Sequence, residues 1–321
     1  MPRCLYCGAT TRAPVYAGVR DHFGIAPGTY EFLGCAECAS ASLDPVPSAD
    51  AIAGFYPRDY TFRAAAATEP LARRLLRGLE WRLFYRPQYR GRLRSIRRLT
   101  GLAAGRVLEV GCGSGMFLQM LAGAGFEPRG LDISPEETKY ARDELGLAVT
   151  EGDLATAAAE AERYDAVLLF YVVEHVPDPV ALVRQAFTVL RPGGWVVIAV
   201  PVLDSAQARV FGVRWSQVTE APRHITLPSR RGVSLLLEGA GFTDVRATAM
   251  PLLDNAGVIV MSLLPGAATP QAYGRDAGAV APLVRRAAAA LLLPLATVAA
   301  VADRLTGRPG MTMVCARRPD Q

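Results

Sequence analysis

The sequence predicts an α/β protein, in which a doubly wound parallel sheet is covered by helices on both faces. Between residues 105 and 200, short apolar runs of strand length alternate with stretches of helical pattern. A glycine-rich turn follows the first run and acidic residues follow others, where an open parallel sheet binds its ligands. The chain has 321 residues, 51% of them hydrophobic, so it can hold one such domain and a small appendage.

The first predicted strand, 107–110, ends in the glycine-rich turn. The glycines let the backbone approach a ligand without Cβ clashes, and a helix is expected over 116–121. Met116 stands where the dinucleotide fingerprint has its third glycine, so the spacing disfavours a nicotinamide oxidoreductase. This region supplies the first candidate cofactor-binding residues, which are Glu109, Gly111, Cys112, Gly113, Gly115 and Phe117.

The second and third strands, 126–131 and 147–150, are each followed by an aspartate. Asp132 lies 22 residues beyond Val110, and an acidic residue about 20 residues past the first strand binds ribose hydroxyls in α/β cofactor folds. Asp132 could instead cap the next helix, although Ser134 already supplies an N-cap there. Asp153 could be a solvated loop residue. The candidate residues at these two strand ends are Asp132, Ile133, Asp153 and Leu154.

Four more strands are expected, at 164–170, 195–200, 242–250 and 311–316. The near-continuous apolar run of 164–170 suits a parallel strand that is covered on both faces. Five strands that alternate with helices before residue 201 specify the doubly wound parallel sheet.

An insertion, 251–308, separates the last two strands and would cover the substrate mouth or form a homodimer. Within it, the uncharged segment 287–302 is 16 residues long and contains Pro294. A membrane-spanning helix needs about 20 apolar residues, so we expect a helix that packs on the core or lies at an interface.

The glycine turn, with Glu109 ahead of it, resembles motif I of class I S-adenosylmethionine-dependent methyltransferases, and residues 170–179 resemble their motif II region. The resemblance implies a seven-stranded Rossmann-like sheet of order 3-2-1-4-5-7-6 with an antiparallel last strand. It implies S-adenosylmethionine as the cofactor, with Asp132 at the ribose and Asp153 at the adenine amino group. It also places Phe170 and Tyr171 at the cofactor site.

Two Cys-x-x-Cys pairs, separated by 27 residues, stand near the N-terminus. Four thiolates from two tight turns make a closed tetrahedral zinc site, which stabilises a small ribbon. Two disulfides are the alternative; no signal-peptide pattern precedes the first cysteine, and a reducing cytosol favours zinc. The two cysteine pairs are followed along the chain by the segments 43–47 and 55–60. This order resembles that in bacterial methyltransferases of glycan or natural-product pathways that have an N-terminal zinc ribbon. The expected zinc ligands are Cys4, Cys7, Cys35 and Cys38.

The charge of the chain, 35 basic against 30 acidic residues, is concentrated in one segment. Ten arginines and one glutamate, with interleaved leucines and aromatics, lie between residues 70 and 100. This predicts a basic helical linker that binds a phosphorylated acceptor, anionic lipid or nucleic acid, or that only packs its apolar side on the sheet domain. The predicted organisation is a ribbon over 1–62, the linker over 63–100 and the methyltransferase domain over 101–321.

The three histidines limit the choice of a general base. His175 follows the fourth strand, and His224 lies in a segment that resembles the family's acceptor-pocket lining. Either imidazole could accept a hydroxyl proton near neutral pH, and a structural role competes in each case. His22 is expected to be structural.

We therefore expect a cytoplasmic enzyme that methylates a small molecule, most simply a hydroxyl of a sugar, lipid-linked or secondary-metabolite acceptor. N- and C-methylation and peripheral membrane association remain open. An RNA methyltransferase is less favoured because the fourth strand ends in Phe170-Tyr171-Val-Val, without the Asn/Asp-Pro-Pro-Tyr/Phe segment of base-amino methylation, and the fifth lacks a Pro-Cys nucleophile. A non-catalytic cofactor-binding module is the other alternative, and the intact motif residues argue against it.

Overall fold

The structure is a computed structural model that describes residues 3–22, 24–48, 51–52, 54–55, 71–158, 163–265 and 280–320. Most of the 55–60 segment, the start of the predicted linker and the middle of the predicted insertion lie outside the described residues.

The described residues form eleven strands. They are β1 (Arg12–Val19), β2 (Tyr30–Cys35), β3 (Ala41–Leu43), β4 (Gly105–Val110), β5 (Phe126–Asp132), β6 (Val149–Glu151), β7 (Tyr164–Phe170), β8 (Leu190–Pro201), β9 (Thr226–Leu227), β10 (Thr243–Ala249) and β11 (Met311–Arg317).

Helices connect and cover these strands. The α-helices of the described residues are α1 (Leu71–Glu80), α2 (Arg86–Thr100), α3 (Met116–Gly123), α4 (Pro135–Asp143), α5 (Leu154–Ala158), α6 (Pro179–Val189), α7 (Ala206–Phe211), α8 (Arg230–Gly239), α9 (Leu252–Leu263) and α10 (Val280–Leu305). A π-helical turn, Trp81–Tyr85, joins α1 to α2, and short 3₁₀ turns lie at Val173–His175 and Gly212–Arg214.

The main sheet has seven strands in the order β10-β11-β8-β7-β4-β5-β6. The pairs from β8 to β6 are parallel, whereas β11 is antiparallel to both β8 and β10. Counted from β4 as the first strand, this is the expected order 3-2-1-4-5-7-6 with an antiparallel closing strand, so the predicted fold is confirmed.

Strand β7 shows why the sequence forms a two-faced core. All seven of its residues are buried. Ala166 and Leu168 point into one hydrophobic cluster and Val167 and Leu169 into the other, because successive side chains of a strand face opposite sides. Each fully buried Leu or Val contributes roughly 1.5–3 kcal/mol of transfer free energy, so this strand anchors the sheet.

Helix α4 begins as its sequence predicts. The Ser134 hydroxyl accepts a hydrogen bond from the backbone N–H of Glu137 at 3.3 Å, and Pro135 occupies the first turn. Acidic side chains at 136 and 137 oppose the positive end of the helix dipole. This local capping fixes the position at which the chain leaves β5.

The predicted linker is helical throughout its described part, residues 71–100. Leu93, Ile96 and Leu99 of α2 are buried against the sheet domain. Arg92 faces the same way, whereas Arg94, Arg97 and Arg98 form surface hydrogen bonds.

Helix α10 is longer than the uncharged run predicts. It has 26 residues and passes through Pro294, because charged residues at both ends of the run also adopt helical structure. Within the described chain, its segment Val284–Leu305 is long and apolar enough to cross a membrane by length and composition, with 11% of the most apolar window buried. The predicted packing is present on one face, where Ala296 and Ala300 contact α9.

A second, four-stranded antiparallel sheet has the order β1-β2-β3-β9. Its first three strands belong to the predicted N-terminal ribbon, but β9 lies in the domain predicted over 101–321. Ser42 pairs with Thr226 and Ala41 with Leu227. The ribbon therefore shares a sheet with the segment that follows His224.

Candidate active site

A cavity of about 440 Å³ opens at the carboxyl ends of β4 and β7. The glycine turn forms one side, the end of β7 and the 217–224 loop form another, and α2 and α9 form the remaining walls. Of the residues predicted to bind cofactor, those that line the cavity are Glu109, Gly111, Cys112, Gly113, Phe117, Phe170 and Tyr171. Both histidines predicted at the acceptor side, His175 and His224, line it too.

The turn after β4 requires glycine. Gly111, Gly113 and Gly115 all have positive φ, at 69°, 52° and 77°. A Cβ at Gly115 would lie 2.6 Å from Leu147 Cδ1, and one at Gly111 would lie 2.9 Å from Val172 Cγ2. The tight turn leaves a backbone surface that a ligand can approach closely.

Asp132 ties this turn to the end of β5. Its carboxylate accepts hydrogen bonds from the backbone N–H groups of Gly113, at 2.7 Å, and Ser134, at 2.9 Å. Burial raises the pKa of Asp132, and the two hydrogen bonds oppose that rise. Asp132 is thus fixed at the strand end where the ribose is predicted to bind.

The other residues predicted around the adenosine lie outside the cavity lining. Ile133 and Asp153 are exposed, and Leu154 is fully buried in the core. Asp153 also accepts a hydrogen bond from the Thr156 backbone at 3.2 Å, as an N-cap residue does. Their roles at the cofactor remain predictions.

Glu109 is a buried carboxylate that faces the cavity. It is 5% exposed, and its Oε2 has no hydrogen-bond partner within the part of the chain that the structure describes. Burial raises the pKa of Glu109 to about 8, while the nearby Arg92 lowers it. An unpaired buried acceptor is costly, so this position fits a ligand that brings hydrogen-bond donors.

A network that sequence reasoning missed lies on the opposite wall. The guanidinium of Arg92 donates to Asp254 Oδ1, with Nε at 3.1 Å, and the Tyr171 hydroxyl donates to the same oxygen at 2.9 Å. The guanidinium carbon also lies 5.0 Å from the centre of the Tyr171 ring and 5.1 Å from that of Tyr89. These contacts join the linker helix, the end of β7 and the insertion around one cavity.

The two histidines lie together on one side of the cavity, with ring centroids 4.7 Å apart. His175 Nδ1 lies 3.0 Å from the carbonyl oxygen of Arg223, and His224 Nδ1 lies 2.7 Å from that of Gln217. Because a carbonyl only accepts, each Nδ1 carries the proton in the neutral ring and each Nε2 keeps a lone pair. Burial lowers the pKa of both imidazoles to about 3, so both are neutral at pH 7 and neither titrates near pH 6.5.

Glu174, beside His175, was not predicted as a site residue. It is fully buried, and neither carboxylate oxygen has a hydrogen-bond partner among the described residues. Burial raises the pKa of Glu174 to about 8, and the charge of Glu220 adds to this rise. Its position four residues past the end of β7 is the signal that could have identified it.

The ribbon supports the loop that carries His224. The Arg223 guanidinium and the Asp21 carboxylate form a fully buried ion pair with Nη2 to Oδ1 at 2.7 Å. His22 Nδ1 donates to the Thr219 carbonyl at 2.8 Å, consistent with its expected structural role. The ribbon thus packs directly against the loop that carries His224.

The four ribbon cysteines form one cluster. Sγ atoms of Cys4 and Cys38 are 3.6 Å apart, as are those of Cys7 and Cys35, and all four lie within 4.8 Å of one another. A tetrahedral zinc site with bonds of about 2.3 Å has edges of about 3.8 Å, so the cluster fits zinc, and these thiols are not joined in disulfides. A hydrogen bond from Cys4 lowers the pKa of the Cys38 thiol.

Cys112 and Cys315 are buried, and burial raises the pKa of both thiols. A raised pKa disfavours the thiolate, so neither residue has the character of a nucleophile. This agrees with the expectation that both are ordinary small core residues.

Comparison with known proteins shows which part of the chain is similar to methyltransferases. Residues 82–247 match the family described as "Methyltransferase domain". The ubiquinone biosynthesis O-methyltransferase of Bordetella avium is 40% identical over 114 residues, covering 33% of this chain and 46% of that protein. That of Paraburkholderia phytofirmans is 37% identical over 111 residues, covering 33% and 48%. The chain thus spans about half the length of the curated relatives it matches.

Among solved structures, phosphoethanolamine N-methyltransferase 2 of Haemonchus contortus in complex with S-adenosyl-L-methionine has a TM-score of 0.49 and 16% identity. The match covers 71% of this chain and 52% of that one. The family match spans more than half of the chain, and the strand order and glycine turn agree with it. The chain therefore belongs to the methyltransferase domain family, with the fold of its class I S-adenosylmethionine-dependent members.

Proposed function

We propose that the protein transfers a methyl group from S-adenosylmethionine to a hydroxyl of a small-molecule acceptor. One observation carries the proposal: a single cavity joins the glycine turn to two neighbouring neutral imidazoles, the half-buried His175 and the buried His224. The named activity of the relatives, O-methylation in ubiquinone biosynthesis, favours oxygen as the acceptor atom.

The cofactor half of the cavity offers groups that suit S-adenosylmethionine. When bound, this cofactor supplies a methyl group on a positively charged sulfur, open to in-line displacement. The glycine turn would approach its polar end, and the unpaired Glu109 oxygen would accept hydrogen bonds from it. Asp132 and Asp153 would bind the ribose and the adenine amino group.

The acceptor half orients a hydroxyl. Each Nε2 of His175 and His224 accepts hydrogen bonds, because Nδ1 already donates to a carbonyl. A neutral imidazole with a low pKa is a weak base, so its main contribution is to hold the acceptor oxygen in line with the methyl group. Arg92, Asp254 and Tyr171 close the opposite wall and exclude water.

The cavity walls also indicate the acceptor class. Phe84, Tyr85, Leu253 and Met261 line the cavity beside the polar groups. Aromatic and apolar side chains beside groups that can form hydrogen bonds are typical of sites for small organic ligands. We propose an acceptor that combines a hydroxyl with an apolar or aromatic body, which disfavours the RNA alternative.

Access to such acceptors would come from a membrane surface. Leu71, Leu75, Leu79 and Leu83 recur at helical spacing along α1 and the π-helical turn and are 52–68% exposed. An ion pair of 3.4 Å between Glu80 and Arg286 joins this stripe to α10, whose outer face is also apolar. Exposed leucines among arginines fit peripheral docking on an anionic leaflet by a cytoplasmic protein.

Vesicle flotation tests this docking. Leu75→Ser/Leu79→Ser should reduce binding to phosphatidylglycerol vesicles, while Val15→Ser on the ribbon should not. Retained vesicle binding in the double variant would refute the docking. A wild-type dimer in light scattering that becomes a monomer in the double variant would also refute it and would support the homodimer alternative.

We also propose that the cysteine cluster holds one structural zinc ion. Four sulfur ligands leave no open coordination position, so the metal would fix the fold of the ribbon and take no part in methyl transfer.

Calorimetry and mass spectrometry test the main proposal. The purified protein should bind one S-adenosylmethionine per chain and transfer a labelled methyl group to a phenolic or polyprenylated hydroxyl acceptor. Folded protein that binds no cofactor would refute the activity. Binding with transfer only to amines would move the acceptor class to nitrogen.

A further inference from the structure

Three side chains at the acceptor wall form a set of metal-ligand type. Glu174 and His175 end the 3₁₀ turn after β7, and His224 comes from the loop that precedes β9. Their ligand atoms lie within 4.8 Å of one another. Bonds of about 2.1 Å separate neighbouring ligands by about 3 to 3.5 Å, so small side-chain rotations would bring all three onto one ion.

The carboxylate supplies an independent observation. Glu174 is 0% exposed and lines the cavity, and both of its oxygens lack a hydrogen-bond partner within the described ranges. Burial of a carboxyl group without hydrogen bonds costs free energy, because the group loses its hydration. Buried polar groups therefore usually have a partner that compensates this loss. A cation bound among the ligand atoms of Glu174, His175 and His224 would compensate the two unpaired oxygens of the carboxylate.

The histidines are oriented as metal ligands are. Each donates Nδ1–H to a backbone carbonyl, Arg223 O for His175 and Gln217 O for His224. This outer contact fixes the ring and leaves Nε2 as the ligand atom, which is the usual arrangement around metal-bound histidine. His224 Nε2 also lies 3.5 Å from Glu220 Oε2, a second carboxylate near the same point.

We propose that Glu174, His175 and His224 bind one divalent transition-metal ion, which holds the acceptor's hydroxyl oxygen in the cavity. Two imidazoles and one carboxylate suit Mn²⁺, Fe²⁺, Co²⁺ or Zn²⁺, whereas Mg²⁺ prefers oxygen ligands. Three protein ligands leave coordination positions open toward the cavity, where an acceptor can bind. Metal binding stands on the geometry alone; the role of the ion toward the acceptor rests on the proposed function.

The ion would lower the pKa of the bound hydroxyl, as it does for bound water. The hydroxyl proton passes to solvent water. The oxygen then forms a bond to the methyl carbon as the carbon–sulfur bond breaks, and the electron pair of that bond remains on the sulfur as a neutral thioether. No oxidation or reduction occurs, and the two weakly basic imidazoles need not accept the proton.

Manganese titration tests the site. Free Mn²⁺ has a strong six-line electron paramagnetic resonance signal that weakens on binding, and Mn²⁺ has little preference for the ribbon thiolates. The full chain with its ribbon zinc should remove one Mn²⁺ per molecule from solution. Glu174→Gln should weaken this binding at least 10-fold. Glu109→Gln is the matched control, because it alters an equally buried carboxyl in the same cavity outside the triad.

The outcomes separate the two proposals. Wild-type protein that leaves the Mn²⁺ signal unchanged, or Glu174→Gln that binds as the wild type does, overturns the metal site. Calorimetry with S-adenosylmethionine on the wild type reports the proposed function independently, and circular dichroism with a thermal melt shows that each variant is folded. Where Glu174→Gln does not fold, His175→Gln takes its place, with the same 10-fold loss expected and equal binding overturning the proposal.

Discussion

The two halves of the cavity are built in different ways. The proposed cofactor half consists of residues at the ends of individual strands. The local turn after each strand fixes their positions, as it does for Gly111 to Gly115 after β4. The acceptor half is assembled from four distant segments: α2, the end of β7, the 217–224 loop and α9. The first half depends on local backbone geometry, and the second depends on tertiary packing. Perturbations far from the cavity should therefore reach the acceptor half and spare the cofactor half.

Loss of the ribbon metal should have the largest effect. Cys7→Ser removes one proposed zinc ligand, and we expect zinc release, a lower melting temperature and turnover reduced by more than about 10³. The cofactor Kd should change less than about threefold, because the hydrogen bonds and the ion pair that join the described part of the ribbon to the rest of the chain go to residues 219–229. Elemental analysis, turnover and calorimetry measure the three quantities.

Cys315→Ala is the control, since it alters a buried thiol outside the cluster and should keep the zinc. If Cys7→Ser weakened cofactor binding as much as acceptor binding, the proposed difference between the two halves of the cavity would be contradicted.

His224→Ala comes next. Turnover should fall by roughly 10² to 10⁴, because the acceptor oxygen loses a group that holds it in line. The cofactor Kd should barely change, whereas His175→Ala, next to the end of β7, should affect both. Near-wild-type turnover of both variants on the true acceptor would remove these residues from the reaction.

Asp132→Ala probes the cofactor half. Binding of S-adenosylmethionine should weaken by about 1.5–3 kcal/mol, because charge-assisted hydrogen bonds to the ribose are lost and Gly113 loses its anchor. Acceptor affinity at saturating cofactor should stay constant. Asp143→Ala, which breaks an exposed pair with Lys139, is the control and should have little effect. A wild-type Kd for Asp132→Ala would contradict the predicted ribose role.

The smallest effect is the pH dependence caused by Glu109. Its pKa is about 8 in the folded chain and near 4.5 when exposed, so it contributes stability below pH 4.5 that is lost as the pH rises through 8. Glu109→Gln should remove this loss. Between pH 5 and pH 8, the free energy of unfolding of the variant should rise by roughly 1–3 kcal/mol relative to that of the wild type. Urea unfolding of the cofactor-free protein at both pH values measures it. For the control Glu127→Gln, which alters an exposed residue, the free energy of unfolding should change with pH as it does in the wild type. The same pH dependence in Glu109→Gln as in the wild type would contradict a buried, protonated Glu109.

The sequence allowed the strand order, the glycine turn and the Ser134 cap to be predicted, because periodicity, turn chemistry and capping are local. Arg92, Asp254 and Glu174 were missed. Arg92 was one of ten arginines. Only its place on the inner face of α2, four residues before the buried Ile96 and seven before the buried Leu99, separates it from the solvated ones. Asp254 lies in an insertion whose packing no local pattern reveals.

The pairing of β3 with β9 also limits how this protein can be recombined. A chimera that receives residues 3–48 from another ribbon would set foreign side chains against β9, Thr219 and the buried partner of Asp21. Exchange of the ribbon together with residues 216–229 would transfer the complementary surfaces as one piece. The unit that can be exchanged is therefore set by spatial contact and not by sequence position. The two segments, nearly 200 residues apart, should vary together among proteins that descend from this chain.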